Sequence, residues 1–244
     1  MSAAFVFGAT GHVGRRIVEQ LAASKTEVLA HIRPDSPRLM EWVQRFRDTG
    51  ALPDSTPFEL AALAKRFELV RPQVVFCTIG TTRTRMKLAA ERGENEEHQS
   101  YEEVDFGLTK LLVDALIQAD HKARFVYLSS AGTSEGAFGA YLQTRWRAEQ
   151  VIKNSGLPYT LARASIIRGP DRDDKRPLEE LGATASDFLL QVAALVGGKT
   201  IRNRYRSHDP GELAKAMIRI GYDPECENKV IEADELRGSA EKDK

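Results

Sequence analysis

The chain has 244 residues, with 35 basic and 35 acidic side chains, a formal net charge of zero at pH 7 and a pI near 7.0. This length suits one α/β domain, and the balanced charge argues against the broad electrostatic attraction of proteins that bind nucleic acid or anionic membranes. The two cysteines, Cys77 and Cys226, have neither metal nor redox spacing, so no metal site is predicted.

Short apolar runs alternate with helical patterns through the first two thirds of the chain. This alternation predicts a parallel sheet that is covered by helices on both faces. Helices are expected around residues 42–46, 60–67 and 108–115, because apolar residues recur there on one helical face. The expected strands are residues 3–7, 27–31, 73–78, 124–129 and 159–162, a weaker one near 51–52 that Pro53 limits, and a late one at 229–232.

A glycine loop joins the first predicted strand to the first predicted helix, in the sequence GATGHVG. Gly8 and Gly11 would let the chain turn close to a pyrophosphate, and Gly14 would let the helix pack on the strand. The helix N-terminus would offer N–H groups to the anion. The loop therefore predicts a Rossmann-type, doubly wound parallel α/β sheet that binds a dinucleotide, with a plain strand-turn-helix as the alternative.

The alternation stops after residue 170, where a charged segment at residues 171–176 precedes further helical patterns. We expect residues 1–237 to form one domain, with a small C-terminal cap from about residue 171 and a disordered tail at residues 238–244. The apolar stretch at 188–196 is too short to cross a bilayer, so no membrane partner is predicted. Since no charged and apolar leader precedes the first strand, a cytoplasmic location is expected.

Residues that follow the predicted strands should meet at one edge of the sheet, where ligands bind in this fold class. Arg33, with Arg38 nearby, follows the second strand at the position where an acid usually holds the ribose 2′-hydroxyl of NAD. A guanidinium suits a 2′-phosphate, so NADP is predicted, with NAD or a solvated loop arginine as alternatives. Thr78, Ile79 and Gly80 follow the fourth strand and are typical either of backbone close to a nucleotide or of an ordinary turn.

Three polar residues later in the chain indicate proton-transfer chemistry. Ser130 follows the fifth strand, and Tyr141 and Arg145 come next, four residues apart and on one face of a predicted helix. A serine, a tyrosine and a cation in this arrangement could polarise a carbonyl and transfer a proton while a nicotinamide supplies hydride.

The glycine loop, the Leu-Ser-Ser element, the Tyr-x-x-x-basic pair and the LAR…GP segment at residues 161–170 together resemble the atypical short-chain dehydrogenase/reductases. The chain is most similar to their NAD(P)H-binding branch, which includes NmrA-like proteins and the human Tat-interacting protein oxidoreductase, especially over the sequence FCTIGTTR. The resemblance covers residues 3–170. It implies that the cofactor is bound by Gly8, Thr10, Gly11, His12, Val13, Gly14, Arg33, Thr78, Ile79 and Gly80.

The resemblance also implies catalytic roles for Ser130, which would orient a carbonyl, and for Tyr141, which would be the general acid and base. Two residues depart from the family pattern: the lysine expected four residues after the tyrosine is Arg145 in this chain, and Ala164 stands where relatives often have proline. An arginine can supply the electrostatic part of that lysine's role and can bond a ribose. It stays charged, however, and does not readily pass a proton on.

Two functions remain open at the level of sequence. The first is an NADP-dependent oxidoreductase acting on a small molecule with a carbonyl or alcohol group. The second is a non-catalytic regulator or redox sensor that holds NADP(H) and signals through a partner. The identity of the substrate and the oligomeric state are also open, a homodimer included.

Overall fold

The structure is a computed structural model that describes residues 3–81, 100–167 and 207–241. Its strands are β1 (Ala4–Phe7), β2 (Val28–His31), β3 (Leu52–Asp54), β4 (Val74–Cys77), β5 (Arg124–Ser130), β6 (Tyr159–Ala164) and β7 (Lys229–Ile231). They form one sheet in the order β3-β2-β1-β4-β5-β6-β7, and every neighbouring pair is parallel. The predicted Rossmann-type doubly wound fold is confirmed, and the chain reverses direction along the sheet between β1 and β4.

Helices cover both faces of the sheet because the central strands β1, β2 and β4 are buried along their whole length. The described helices are α1 (His12–Ala23), α2 (Leu39–Asp48), α3 (Leu60–Val70), α4 (Leu108–Gln118), α5 (Ala140–Lys153), α6 (Pro210–Tyr222) and α7 (Ala233–Glu241). A π-helical segment, Tyr101–Gly107, leads into α4. One apolar core lies under α1, α2, α6 and α7, and the other lies under α3, α4 and α5.

The third strand forms although Pro53 lies within it. Pro53 pairs with Ala30 of β2, and β3 is an edge strand of the described sheet. An edge strand has one side free of ladder hydrogen bonds, so a residue without an N–H is tolerated there. The strand therefore lies one or two residues later than the sequence pattern predicts, and it is shorter than its neighbours.

The last helix extends past the point where disorder was expected to begin. Helix α7 continues to Glu241, beyond Gly238, while residues 242–244 lie outside the described residues. Ser239 Oγ donates to the carbonyl of Glu235, and Arg219 of α6 donates to the carbonyl of Ser239 at 3.2 Å. One bond within α7 and one contact with α6 thus hold a turn whose composition alone predicts disorder.

The chain on either side of residues 168–206 is joined by a short contact. Ile167 and His208 form an isolated parallel bridge, and the His208 N–H donates to the carbonyl of Ile166. The His208 ring lies 2.8 Å from Ser165 Oγ through Nδ1 and 3.2 Å from the Ala233 carbonyl through Nε2. Burial lowers the pKa of His208 to about 4, so its ring is neutral, with Nε2 donating and Nδ1 accepting. Of the segment predicted as a cap from about residue 171, residues 171–206 lie outside the described residues, and the remainder contains α6, β7 and α7.

Candidate functional site

The glycine loop lies directly against the end of β4. Gly8 has a φ of +79°, and a Cβ added there would come within 2.7 Å of the backbone of Thr78. A Cβ on Gly14 would overlap the carbonyl oxygen of Gly8. The Gly11 N–H closes the turn by donating to the Gly8 carbonyl at 2.9 Å, and Thr78 Oγ1 donates to the Phe7 carbonyl at 3.0 Å. Side chains are therefore excluded at the switch point of the sheet, where a dinucleotide crosses.

Helix α1 begins immediately after this loop without a capping side chain. Its N-cap residue is Gly11, and within this described helix the first turn contains no acidic residue. Helix N-termini are normally satisfied by a side-chain oxygen or by a bound anion. Gly11 has no side chain that could accept hydrogen bonds from these N–H groups, so the positive end of α1 is suited to a phosphate group. Thr10, His12 and Val13 lie at this turn, as the sequence predicts.

Arg33, which is predicted to bind the 2′-phosphate, lies on the surface just after the end of β2. Arg33 is exposed and lies 3.4 Å from the carboxylate of Asp35, two residues further on. Arg38 instead donates two hydrogen bonds to Glu41, at 2.8 and 2.5 Å, and its guanidinium lies over the ring of Trp42. Of these two arginines, Arg33 is therefore the more loosely held, since its single ion pair is long and exposed.

At the end of β4, the segment Thr78–Thr81 packs on a buried arginine. A Cβ on Gly80 would lie 2.4 Å from Nη2 of Arg145, so a larger residue would require the guanidinium to shift. Arg145 Nη2 lies 3.4 Å from the carbonyl of Ile79. The Thr81 N–H donates to Asp105 Oδ2 at 2.8 Å. The segment predicted to pass close to a nucleotide therefore packs on two charged side chains, Arg145 and Asp105.

Arg145 is almost completely enclosed by protein groups. Its side chain is 7% exposed and forms an ion pair with Asp105 Oδ1 at 2.6 Å. Nη1 donates to the Tyr127 hydroxyl at 2.9 Å and to the Leu128 carbonyl at 2.7 Å. The guanidinium also lies over the ring of Tyr141, with its carbon 5.4 Å from the ring centroid. Arg145 therefore provides a fixed positive charge beneath Tyr141, and most of its donors are used within the protein.

Asp105 is a site residue that the sequence interpretation left unassigned. It lies in the π-helical segment, is fully buried, forms an ion pair with Arg145 and accepts a hydrogen bond from the Thr81 N–H. Burial raises the pKa of the Asp105 carboxyl above its usual range, while the nearby Arg145 charge and the Thr81 hydrogen bond act in the opposite direction. The signal in the sequence was a single acid between the apolar residues Val104 and Phe106, which alone does not identify its partner.

The two serines at the end of β5 have different surroundings. Ser129 is buried and donates to Glu149 Oε1 of α5 at 2.6 Å. Ser130 is half-buried, and alternation along the strand turns it toward the opposite face from Ser129. Its hydroxyl makes one long hydrogen bond, at 3.4 Å, to the neighbouring Ala131 carbonyl. Of the two hydroxyls, that of Ser130 is the more available to a ligand.

Tyr141 lies in the first turn of α5 and is half-buried. Its ring centroid is 5.2 Å from that of Tyr101, at the start of the π-helical segment. Residues 131–140 separate Tyr141 from Ser130, and the two residues lie at either end of this stretch at the carboxyl edge of the sheet. The structure thus places the predicted catalytic residues at one edge, with Arg145 below Tyr141 and Ser130 at the end of the neighbouring strand.

Other expectations lie partly beyond the described ranges. The sequence at residues 83–97 places basic residues just before acidic ones, a pattern more typical of a solvated loop than of a site, and it falls in the segment 82–99, outside the described residues. Among residues 3–81, 100–167 and 207–241, no group of three metal-binding side chains is found. In those same ranges, no helix combines the length and the apolar character needed to cross a membrane.

Curated proteins similar to this chain include the chloroplastic protein TIC 62 from Pisum sativum, which is 28% identical over 210 residues. That alignment covers 79% of this chain and 39% of TIC 62, so the chain spans about two fifths of that relative. The mitochondrial protein fmp52-1 from Aspergillus terreus is 25% identical over 243 residues, which cover 98% of this chain and 93% of fmp52-1.

Solved structures with the same fold include AtPrR2 with NADP+ and (+)pinoresinol, at a TM-score of 0.63 and 19% identity over 94% of this chain and 68% of that one. The terminal R domain of the myxalamid PKS-NRPS pathway also has a TM-score of 0.63, at 15% identity over 95% of this chain and 64% of the other. The sequence model of a family described as NAD(P)H-binding matches residues 8–187. The chain therefore belongs to this NAD(P)H-binding family, as its resemblance to the atypical short-chain dehydrogenase/reductases predicts.

Proposed function

We propose that the protein is an NADP(H)-dependent oxidoreductase that interconverts a carbonyl and an alcohol on a small-molecule substrate. The observation that carries the proposal is the position of Tyr141, which is half-buried at the carboxyl edge of the sheet above the fixed positive charge of Arg145. A phenol that is partly open to a ligand and lies over a buried cation is suited to donate and recover a proton.

The residues at the switch point fit a dinucleotide. The N–H groups at the start of α1 would receive the pyrophosphate, and the close approach of Gly8 and Gly14 to Thr78 leaves backbone rather than side chains at the crossing point. Ile79 and Gly80 would line the same crossing. When bound there, NADP(H) would supply the hydride chemistry, and the protein would supply the proton for the substrate oxygen.

Three side chains would serve that proton transfer. Tyr141 would give the proton of its hydroxyl to the substrate oxygen, so that an alcohol leaves and a phenolate remains until solvent restores the proton. Arg145 would stabilise that phenolate electrostatically, as a positioning cation that is ion-paired with Asp105 and donates hydrogen bonds to Tyr127 and Leu128. Ser130 would orient the carbonyl through its loosely bonded hydroxyl.

The choice of NADP over NAD rests on Arg33. Its exposed guanidinium, held by one long ion pair, can turn to a 2′-phosphate and form charge-assisted hydrogen bonds. We expect NADPH to bind at least about tenfold more tightly than NADH, because one such bond contributes about 1.5–3 kcal/mol. Fluorescence titration of Arg33→Ala should remove this preference, and Arg38→Ala is the matched control, since Arg38 is engaged with Glu41. Equal affinities of the parent protein for the two cofactors would refute the assignment.

The catalytic proposal is tested by NADPH oxidation with a panel of aldehydes and ketones. Tyr141→Phe should abolish turnover of any substrate found while leaving NADPH affinity within about threefold, since the ring and its contact with Arg145 remain. Tyr159→Phe, at the start of β6, is a matched control and should keep full activity. Ser130→Ala should lower turnover by about 10²-fold, as expected for loss of one orienting donor. Full turnover by Tyr141→Phe would exclude the assigned acid.

A second function, an NADP(H)-binding regulator without turnover, is favoured by one observation. The donors of Arg145 are directed to Asp105, Tyr127, Leu128 and Ile79, so little of the guanidinium is left for a nicotinamide ribose. A protein that binds NADPH tightly and oxidises it with none of the panel would favour this function. The cytoplasmic location stays a prediction, and the oligomeric state stays open. The curated relatives carry the words chloroplastic and mitochondrial in their names.

A further inference from the structure

A second buried ion pair lies beside the proposed site, on the same face of α5 as Arg145. Glu149 follows Arg145 by four residues and is completely buried. Its carboxylate accepts two parallel hydrogen bonds from Arg163 of β6, from Nε at 2.9 Å and from Nη2 at 2.7 Å. It also accepts from Ser129 Oγ at 2.6 Å. Three elements, α5, β5 and β6, are thus joined through one carboxylate.

Arg163 extends this connection to the C-terminal part of the chain. Its Nη1 donates to Glu232 Oε1 at 3.0 Å, in the short link between β7 and α7. Hydrogen bonding to Glu149 raises the pKa of Arg163, and the contact with Glu232 adds to this effect. We refer to Ser129, Glu149, Arg163 and Glu232 as the carboxylate cluster.

The sheet register shows how the carboxylate cluster is connected to the proposed catalytic residues. Ser129 is the direct neighbour of Arg163 across β5 and β6, and Ser130 is the neighbour of Ala164. Ser129 points to the face under α5, whereas Ser130 points to the other face. The distance between Ser130 and Tyr141 therefore depends on how firmly the end of β5 is fixed to α5, and Ser129 with Glu149 forms one of the side-chain bonds that do this.

We propose that Glu149, held by Arg163, is a positioning residue that fixes the end of β5 against α5 and so sets the pocket for the nicotinamide half of the cofactor. The inference rests on the proposed function. It concerns the half of the site at β5 and β6, on the far side of the switch point from Arg33 and the adenosine half. Ser129 takes no part in substrate binding, because its hydroxyl is committed to the buried carboxylate.

A cofactor fragment separates this role from a general loss of stability. The fragment 2′,5′-ADP carries the adenosine half and the 2′-phosphate without the nicotinamide, so its affinity reports only on the glycine loop and the end of β2. Glu149→Gln keeps the shape of the side chain but removes the charge that Arg163 requires. We expect its Kd for NADPH to rise about tenfold, as for the loss of one charge-assisted hydrogen bond. Its Kd for 2′,5′-ADP should stay within about twofold of the parent value.

Further variants keep the test decisive if Glu149→Gln does not fold. Ser129→Ala removes one arm of the cluster without leaving a charge unpaired, and it should raise the Kd for NADPH about threefold with no change for 2′,5′-ADP. The double variant should match Glu149→Gln alone, because the two residues act through one bond. Asp114→Asn is the matched control, since it breaks an exposed pair with Lys110 on α4 and should change neither affinity.

The two proposals fail in distinguishable ways. A parent protein that binds neither NADPH nor 2′,5′-ADP would remove the proposed function and this inference together. The positioning role alone would be overturned by a different result. In that case the parent binds both ligands, the variants fold, and their affinities for NADPH and 2′,5′-ADP are unchanged or weaken equally. The expected result is weakening confined to NADPH in both Glu149→Gln and Ser129→Ala.

Discussion

Replacing Asp105 with asparagine tests whether the buried pair with Arg145 holds the site together. The two charges lie 2.6 Å apart with side chains 0% and 7% exposed. At an effective dielectric constant of about 20, their attraction is about 6 kcal/mol. The variant keeps the shape of the side chain but leaves the Arg145 charge buried without a counter-charge. Breaking a buried pair in this way costs about 3–5 kcal/mol of the free energy of unfolding.

The assay is urea denaturation followed by tryptophan fluorescence, with thermal unfolding beside it. For a chain of this size, the expected loss corresponds to a melting temperature lower by about 6–20 °C. Asp114→Asn is the control, because Lys110 and Asp114 form an exposed pair on α4 that contributes about 0.3–0.5 kcal/mol. If Asp105→Asn loses no more stability than this control, the buried pair does not stabilise the fold and our account of Arg145 is wrong.

Two further predictions concern other parts of the fold. Gly14→Ala should abolish NADPH binding in a fluorescence titration and lower the free energy of unfolding, since its Cβ would overlap the Gly8 carbonyl. Gly136→Ala is the control. Its Cβ would have no described atom within 4 Å, so NADPH binding should be unchanged. Burial, with the charge of Arg237, lowers the pKa of His208 to about 4, so the free energy of unfolding should fall, by at most about 3 kcal/mol, as the pH drops from about 6.5 to 4. A denaturation series on His208→Gln should show a flatter profile in that window, and an equally steep one would exclude His208 as the cause.

Local patterns made most of the fold predictable. The strands β1, β4 and β5 form within a residue or two of their predicted bounds, because each is a continuous apolar run bounded by a turn. The glycine loop could be predicted equally well, since its three glycines and the helix that they precede are contiguous in sequence. Pro53 misled the prediction of β3, because tolerance of proline depends on the strand lying at the sheet edge, which a local pattern does not contain.

The charged pairs beneath the site could not be predicted from local sequence patterns. Arg145 was identified from its spacing to Tyr141, but its partner Asp105 lies forty positions earlier, in a π-helical segment. Glu149 and Arg163 likewise become partners only when α5 packs across β5 and β6. Opposite charges are common along any sequence, so which of them pair, and which are buried, is decided by tertiary packing. The role of a charged residue here follows from its neighbours in space.

The uncapped start of α1 links the stability of this protein to its cofactor. Within the described chain, α1 has no side-chain cap at Gly11, so a phosphate group of a bound dinucleotide would complete the first turn of the helix. A ligand that binds only the folded state stabilises it by about 2.7 kcal/mol when its concentration is one hundred times Kd. The cellular concentration of free dinucleotide would thus set how often this domain opens to proteases. A shift in cofactor supply would change the lifetime of the protein as well as its occupancy.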